Sequence, residues 1–363
     1  MSKPLLISVL LLLLHPRAHL PTSHAAAGVG DQREPLARTF VPGTFSMQRN
    51  LTKLMLNYNR LKTVLPGMFA SLKQLDTLQM KGNIISHLPP LVFGNMSNLR
   101  VLDLSLNKLE VVTGQTFSGL DRLEILKLNH NLMRNLSLDL FSDMATLKEL
   151  HLEGNKISQL SENCFMNLTN LEVLNLRGNL LKMFSGHVFG SSSKLRELNL
   201  KGNHLSEIGH LGNLSSLTKL YLSYNRLQTL PEGLMDTFSN DHVLQLHSNP
   251  WKCDCGLWYL HDWVLRNGQN VEMLERTLCE SPGFLNRRTL DSVDKEQLVC
   301  RVAKEHSVDV RNCLLQVIGD AVMIKCKVET CLPLTVKVQL QDESGNVKEH
   351  VVRNEGTNST NVA

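Results

Sequence analysis

One short pattern recurs along most of the chain and limits what the chain can fold into. The pattern Leu-x-x-Leu-x-Leu-x-x-Asn recurs in nine copies, with Met80 replacing a leucine in the second copy and Asp241 replacing one in the last, and successive copies lie 24 residues apart except for one interval of 22. Its asparagines are Asn59, Asn83, Asn107, Asn131, Asn155, Asn179, Asn203, Asn225 and Asn249. A fixed period of this length is typical of a solenoid, in which each repeat is one structural unit that stacks on the next.

Side-chain alternation within a repeat assigns the leucines to the core. In the fifth copy Leu150 and Leu152 point inward, whereas His151 and Glu153 point outward. We expect the asparagine after each strand to hydrogen-bond backbone groups where the chain turns away, which is a structural role. A phenylalanine ten residues after the asparagine is expected to fill the convex side of the core. The members of this column are Phe69, Phe93, Phe117, Phe141, Phe165 and Phe189, preceded in register by Phe45.

The repeated pattern resembles that of the leucine-rich repeat family over residues 51–250. The resemblance implies an α/β solenoid, a leucine-rich repeat horseshoe whose concave side is a parallel sheet. One repeat cannot bury its own leucines, so stability arises mainly between neighbouring repeats.

A cysteine-rich segment, residues 251–301, follows the last repeat. It contains Pro-Trp-x-Cys-x-Cys, with Cys253 and Cys255, and later Cys279 and Cys300. Spacing alone allows three pairings of four cysteines, and four cysteines can also hold zinc. The signature resembles the cysteine-rich C-terminal flanking domain of extracellular leucine-rich repeat proteins. That resemblance implies a disulfide-bonded cap with the pairs Cys253–Cys279 and Cys255–Cys300.

The start of the chain has the features of a secretory signal peptide, which we assign to residues 1–27. A lysine precedes an apolar run, Leu5–Leu14, which is too short to span a bilayer. Residues 28–50 are then an N-terminal flank with a degenerate repeat. No cysteine precedes Cys164, so either this flank covers the first repeat without a disulfide or part of the N-terminal cap is missing from this sequence. Cys164 adjoins the phenylalanine column, where a small buried thiol fits.

Residues 302–363 do not continue the repeat and are predicted to form a small β-rich tail. Ala321–Val328 and Leu334–Gln341 alternate apolar and polar residues, as strands do. A turn signal precedes Val347–Arg353, which is a candidate hairpin partner. A truncated immunoglobulin-like domain is the alternative interpretation. The tail also contains three cysteines whose pairing is open: Cys313, Cys326 and Cys331.

Glycosylation sequons accompany the signal peptide. They are Asn50, Asn95, Asn135, Asn167, Asn213 and Asn358. Together these features predict a secreted glycoprotein in the extracellular space. None of the sequons falls on an outward strand position, so glycans would leave the concave face open.

Composition and motifs argue against several classes of function. A formal net charge of +4 is too small to indicate a nucleic-acid or membrane-surface partner. After the signal peptide no apolar run is long enough to insert into a membrane. The sequence contains no Gly-x-Ser-x-Gly, His-Glu-x-x-His, P-loop or Gly-x-Gly-x-x-Gly motif. We therefore predict a non-enzymatic protein without a metal or a cofactor.

The outward strand positions form the candidate binding surface, because the concave face is the usual ligand surface in the family that the repeats resemble. In the later repeats these positions carry basic residues and tyrosines, which are favoured at interfaces. The candidate partner-binding residues are Lys127, His151, Arg177, Lys201, Tyr221, Tyr224 and His247. Such a patch would suit an acidic surface on an extracellular ligand or receptor. The alternative is a solvated polar face without a preferred partner.

We therefore predict a secreted glycoprotein that binds a protein and modulates extracellular signalling or adhesion. The stretches at 230–234 and 251–256 are similar to the soluble group that includes leucine-rich alpha-2-glycoprotein and the large subunit of carboxypeptidase N. That similarity implies one alternative, a non-catalytic subunit that stabilises a secreted enzyme. The other alternative is the ectodomain of a cell-surface receptor whose spanning helix lies outside this sequence.

Overall fold

The computed structural model describes residues 6–8, 40–189, 194–212, 214–236, 238 and 242–300, together with the strands at 307–310, 313–318, 321–326, 334–341 and 347–354. The chain divides into two compact units. The first contains Met1–Leu227, Pro231–Asn249 and Gln269–Met273, and the second contains Gln228–Leu230, Pro250–Gly268 and the chain from Leu274 onward. Each unit is described by itself.

The first unit is built on one parallel sheet of eleven short strands. In spatial order these are β1 (Leu6–Ser8), β2 (Lys53–Met55), β3 (Thr77–Gln79), β4 (Val101–Asp103), β5 (Ile125–Lys127), β6 (Glu149–His151), β7 (Val173–Asn175), β9 (Glu197–Asn199), β11 (Lys219–Tyr221), β12 (Val243–Gln245) and β14 (Val271–Glu272). A second small parallel pair joins β8 (Met183–Phe184) to β10 (Glu207–Ile208), and α1 spans Gly114–Phe117. One strand per repeat is the parallel sheet that the sequence predicts.

The core lies between the sheet and the convex side, as the periodicity predicts. Leu150 and Leu152 are fully buried, while His151 between them is partly exposed. The phenylalanine column is buried on the other side, and its rings follow one another at 6.1 Å from Phe45 to Phe69 and 6.0 Å from Phe69 to Phe93. Neighbouring repeats therefore bury each other's apolar side chains.

The repeat asparagines hold consecutive turns together through backbone groups. Asn155 Nδ2 donates to the carbonyls of Leu128 and Leu152, each at 3.0 Å, and its Oδ1 accepts the Met133 N–H at 3.1 Å. Two of these three partners belong to the preceding repeat. The same geometry recurs at Asn83, Asn107, Asn131, Asn179, Asn203, Asn225 and Asn249.

The residue before each asparagine adopts a left-handed backbone conformation in all nine repeats. It is Tyr58, Gly82, Leu106, His130, Gly154, Gly178, Gly202, Tyr224 or Ser248, and φ lies between 54° and 69°. We call these residues the left-handed column. Glycine adopts this conformation without strain, whereas other residues do so at a cost of about 1–2 kcal/mol. Five repeats therefore retain a strained residue at this position.

Charged side chains alternate in sign along the edge where the strands begin. We call this the ion ladder; it consists of Asp76, Arg100, Glu124, Lys148, Glu172 and Arg196, each one repeat after the last. Glu124 Oε2 lies 2.9 Å from Lys148 Nζ and its other oxygen lies 3.8 Å from Arg100. The hydrogen bond from Lys148 lowers the pKa of Glu124. Partial burial acts in the opposite direction, and the positive charges of Lys148 and Arg100 lower the pKa further. This edge of the sheet is therefore close to neutral.

The N-terminal region is described only in part. β1 lies within the predicted signal peptide, and its three residues pair in parallel with β2. The rest of residues 1–27 lies outside the described residues, and the N-terminal flank is described from Phe40. The Phe40 ring lies 5.6 Å from Phe45, so it extends the phenylalanine column by one ring. Cys164 is buried beside the column, and burial raises the pKa of its thiol to about 12.

The second unit begins with the cysteine-rich segment. β13 (Trp251–Lys252) pairs with β15 (Cys279–Ser281), and α2 spans Trp258–Asn267. Disulfides join Cys253 to Cys279 and Cys255 to Cys300, which are the pairs that the family resemblance implies. Short 3-10 helices in the two units occupy Gly186–Val188, Cys255–Leu257, Gly268–Asn270, Leu274–Arg276, Gly283–Leu285, Leu290–Ser292 and Lys295–Gln297.

The tail is rich in strands, as its alternation predicts. β16 (Ser307–Val310), β17 (Cys313–Ile318) and β18 (Ala321–Cys326) form an antiparallel sheet, of which the sequence predicted only the third strand. β19 (Leu334–Gln341) and β20 (Val347–Asn354) form the expected hairpin. The register places Cys313 opposite Cys326, and Cys331 lies outside the described residues. Within the described residues, none of the helices combines the length and the apolar character needed to cross a bilayer.

Candidate binding surface

Strand register places several candidate residues in one row across the concave sheet. Lys127 on β5 lies beside His151 on β6, and the row continues through Asn175 and Asn199 to Tyr221. Arg177 and Lys201 form a second, parallel row two residues beyond the ends of β7 and β9. The candidates therefore share one face, although they fall into two separate groups.

The first group is centred on His151 and contains charges of both signs. His151 Nε2 lies 3.2 Å from Glu149 Oε2, and its Nδ1 lies 3.9 Å from Glu153 Oε2. Lys127 lies next to His151 on the adjacent strand. Positive and negative groups therefore meet here, so this part of the face offers a partner little net charge. In the described part of the chain no group of histidine, cysteine, aspartate and glutamate has the geometry to hold a metal ion.

The second group is organised around Tyr224. Its side chain is 51% exposed, and its φ of 57° places it in the left-handed column. Lys201 Nζ lies 5.2 Å from the centre of the Tyr224 ring, which is a cation–π distance. The ring of His247 meets Tyr224 edge-on at 5.1 Å. The aromatic side chain is therefore held in place while one side of it faces solvent.

His247 is only 1% exposed. It supports the Tyr224 ring and offers little surface of its own, so we leave it out of the surface proposed below. Alternation had assigned it an outward position, but the large neighbouring ring covers it. Nδ1 of His247 lies 3.1 Å from Ser248 Oγ.

Tyr221 lies half-buried on β11, next to the ion pair of Glu197 and Lys219, whose charged atoms are 3.4 Å apart. Burial raises the pKa of Tyr221, and the Glu197 charge raises it further. The phenol therefore stays protonated at neutral pH and can both donate and accept a hydrogen bond.

Arg177 and Lys201 border a gap in the left-handed column. Three successive members of that column, Gly154, Gly178 and Gly202, carry no side chain, and a Cβ on Gly178 or Gly202 would meet only backbone at 3.8 Å or more. His130 and Tyr224 stand at the two ends of this gap. We call it the glycine notch. Arg177 beside it is exposed, whereas Lys201 is partly covered by Tyr224.

The left-handed column was missed by the sequence analysis, although a signal for it exists. Four repeats place glycine in the same register, and a recurrent glycine often marks a positive φ. The non-glycine members, which include Tyr58 and Tyr224, are then unusual and point to a role beyond the fold.

The first repeats contain a second tyrosine–lysine pair at a cation–π distance, in which the lysine comes from the following repeat and not from the preceding one. Lys81 Nζ lies 5.9 Å from the centre of the Tyr58 ring, and Tyr58 is 61% exposed with a φ of 55°. Here Gly82 lies beneath the ring. This pair provides a matched reference for the Tyr224 site.

The sequons do not interfere with the concave face. Asn50, Asn95, Asn135 and Asn167 are exposed, and none is on a strand of the sheet. Asn213 and Asn358 lie outside the described residues. Glycosylation at the four described positions would therefore leave the sheet open.

The fixed repeat register, the parallel sheet and the contacts of the repeat asparagines are together typical of one class of protein. That class is the solenoids built from leucine-rich repeats. The profile described as "Leucine rich repeat" matches residues 39–85, 81–133, 97–157, 121–181 and 145–205, and the one described as "Leucine Rich repeats (2 copies)" matches 193–234. The chain belongs to the leucine-rich repeat family.

Curated relatives match over short stretches. The chain is 37% identical over 71 residues to human carboxypeptidase N subunit 2, which is 20% of this chain and 13% of that protein. It is 36% identical over 98 residues to mouse SLIT and NTRK-like protein 4, covering 27% and 12%. Rat platelet glycoprotein Ib beta chain is 36% identical over 81 residues, covering 22% and 39%. The matched stretches thus span only a minor part of these relatives.

Solved structures share the fold. A chain of the octameric complex of Latrophilin 3, Unc5D and FLRT2 matches with a TM-score of 0.61 at 24% identity, covering 68% of this chain and 76% of that one. Human 5T4 matches with a TM-score of 0.54 at 24% identity, covering 69% and 88%.

Proposed function

We propose that this protein binds an extracellular protein partner through its concave face and performs no chemistry of its own. The docking surface would consist of Arg177, Lys201, Tyr221 and Tyr224, with the glycine notch at its edge. The partner would present acidic groups to the two cations. Secretion, followed by modulation of signalling or adhesion, is part of the same proposal.

The observation that carries the proposal is the exposure of Tyr224 together with its backbone conformation. A large aromatic side chain remains half-exposed in a strained backbone conformation, although glycine occupies the same position in four other repeats. Lys201 and His247 restrict its motion, so little entropy would be lost when a partner covers it. Preorganised aromatic and arginine side chains are typical anchors of protein interfaces.

The test is affinity capture from the protein's own extracellular fluid, followed by binding measurements on the purified captured protein. The variant Arg177→Ala/Lys201→Ala/Tyr221→Ala is expected to bind at least about tenfold more weakly, which corresponds to ~1.4 kcal/mol. The matched variant Tyr58→Ala/Lys81→Ala removes the equivalent pair from the first repeats and should bind normally. Equal binding by all three proteins would reject this surface.

A second candidate function is that of a subunit which stabilises a secreted enzyme. The similarity to carboxypeptidase N subunit 2, which its name describes as a subunit, favours it. Size-exclusion chromatography of the native fluid distinguishes the two functions. Co-elution of this protein with a hydrolase would support the subunit role if the triple variant no longer co-elutes. Elution of this protein as a lone monomer would contradict that role.

A further inference from the structure

A row of cations lies along the edge where the strands end and the chain turns to the convex side. These residues stand one or three positions after the repeat asparagine, and all are exposed. The residue between these two positions, two after the asparagine, is buried in each of these repeats. Burial and exposure therefore alternate here, and the cations lie on the solvent side. We call this row the basic edge: Arg60, Lys62, Lys108, Lys156, Lys182 and Arg226.

Backbone hydrogen bonds join neighbouring repeats along this edge. The N–H of Lys108 donates to the Ile85 carbonyl at 2.9 Å, and the N–H of Arg226 donates to the Leu205 carbonyl at 2.8 Å. Each bond joins one repeat to the preceding one. Strand-like spacing of about 4.8 Å per repeat gives the basic edge a length of about 34 Å from Arg60 to Arg226.

The charge of this edge is unbalanced, in contrast to the ion ladder. From Arg60 to Arg226 the only acidic residue at these two positions is Glu110. Within the described part of the chain, none of the six cations of the basic edge takes part in an ion pair. The ion ladder shows that charges one repeat apart can pair in this fold. The basic edge instead concentrates positive charge that the small net charge of the chain conceals.

We propose that the basic edge binds a linear sulfated polysaccharide, a glycosaminoglycan chain. The cations form a line along eight repeats, which matches an extended polyanion better than the compact acidic patch of a folded protein. The six cations carry their charges on long flexible stems and are interspersed with exposed polar and apolar residues such as Ser158 and Leu180. Attraction would therefore depend on charge and counterion release. The two disulfides belong to an oxidising compartment, where sulfated glycans and not nucleic acids are the polyanions to be met.

This site shares no residue with the proposed protein-binding surface, and the two adjoin where Tyr224 and Arg226 flank Asn225. Arg177, Lys201, Tyr221 and Tyr224 lie on the concave face or in the left-handed column, and none of them belongs to the basic edge. We leave Arg134 out, since it adjoins the sequon at Asn135 and a glycan there would stand beside it. Failure of either proposal therefore leaves the other intact.

The experiment measures binding of the full chain to heparin, used as the sulfated probe, at several salt concentrations. The edge variant is Lys108→Ala/Lys156→Ala/Arg226→Ala. Its matched control, Lys73→Ala/Arg122→Ala/Lys194→Ala, removes the same residue types from exposed positions away from the edge. The edge variant should bind heparin at least about tenfold more weakly, and the slope of log K against log salt should fall in magnitude by about 2. The control variant should match the unaltered protein.

Thermal unfolding should be unchanged in both variants, because all six side chains are exposed. Equal weakening of heparin binding in the two variants would overturn the proposal, because it would show that only net charge matters. Equally tight binding of polyglutamate or double-stranded DNA at the same charge concentration would also overturn it. Capture of the protein partner should be unaffected in the edge variant, which separates this site from the concave surface.

Discussion

The ring of Tyr58 lies directly against the backbone of Gly82. A Cβ atom on residue 82 would stand 2.5 Å from Cδ1 of that ring, and both residues have a positive φ. Position 82 therefore needs glycine for two reasons, one conformational and one steric. Gly178, by contrast, has a similar φ of 66°, and a Cβ there would make only ordinary van der Waals contact with Gly154 at 3.8 Å.

We expect Gly82→Ala to destabilise the protein more than Gly178→Ala. The shared backbone cost is about 1–2 kcal/mol, and displacement of the Tyr58 ring from Lys81 adds about 0.5–1 kcal/mol. Urea unfolding of both variants, repeated in a Tyr58→Ala background, checks this. If the difference persists after the ring is removed, the steric explanation is wrong.

Asn155→Ala should destabilise the protein strongly. It leaves the carbonyls of Leu128 and Leu152 and the N–H of Met133 without their partner, at about 1–3 kcal/mol for each group that water cannot reach. Among the described residues, Asn59 in the first repeat makes only the local bonds to Leu56 and Asn57, and it is partly exposed. Asn59→Ala should therefore cost clearly less in denaturant unfolding. Equal losses would mean that the contacts to the preceding repeat contribute nothing.

Much of this fold follows from the sequence, since one inward leucine pattern repeated at a fixed interval has few ways to bury itself. Leu150, Leu152 and the phenylalanine column lie where periodicity places them. The strand β1 could not be foreseen, because Leu6–Ser8 lie in the segment that the sequence predicts to be a signal peptide. Burial of His247 could not be foreseen either, since it depends on a neighbouring ring one repeat away. The partner-binding residues themselves stay a prediction.

Glu124 should contribute a pH-dependent increment of stability. Its pKa is lowered in the folded protein, so the contribution is present above the unfolded-state pKa and is lost as pH falls through the folded-state value. Its side chain is one-third exposed, so we expect at most about 0.5 kcal/mol at low salt. Melting temperatures of the protein and Glu124→Gln should differ at neutral pH and converge at about pH 2. A difference unaffected by pH would contradict this.

Cys164 should be unreactive in the folded protein. It is buried, and burial raises the pKa of the thiol to about 12, so almost no thiolate is present at pH 8. Peptide mapping after treatment with iodoacetamide should find Cys164 unlabelled in the native protein and labelled in urea. Rapid labelling without denaturant would show that the phenylalanine column opens readily.

Hydroxyl-radical footprinting of the complex with the captured partner tests the central claim most directly. Tyr221 and Tyr224 should be oxidised more slowly in the complex than in the free protein, because the partner covers them. Tyr58, with a similar environment at the other end of the sheet, should react at the same rate in both states and serves as the internal reference. Protection of Tyr58 or of the convex loops, with Tyr221 and Tyr224 unchanged, would contradict binding through the concave face of the later repeats.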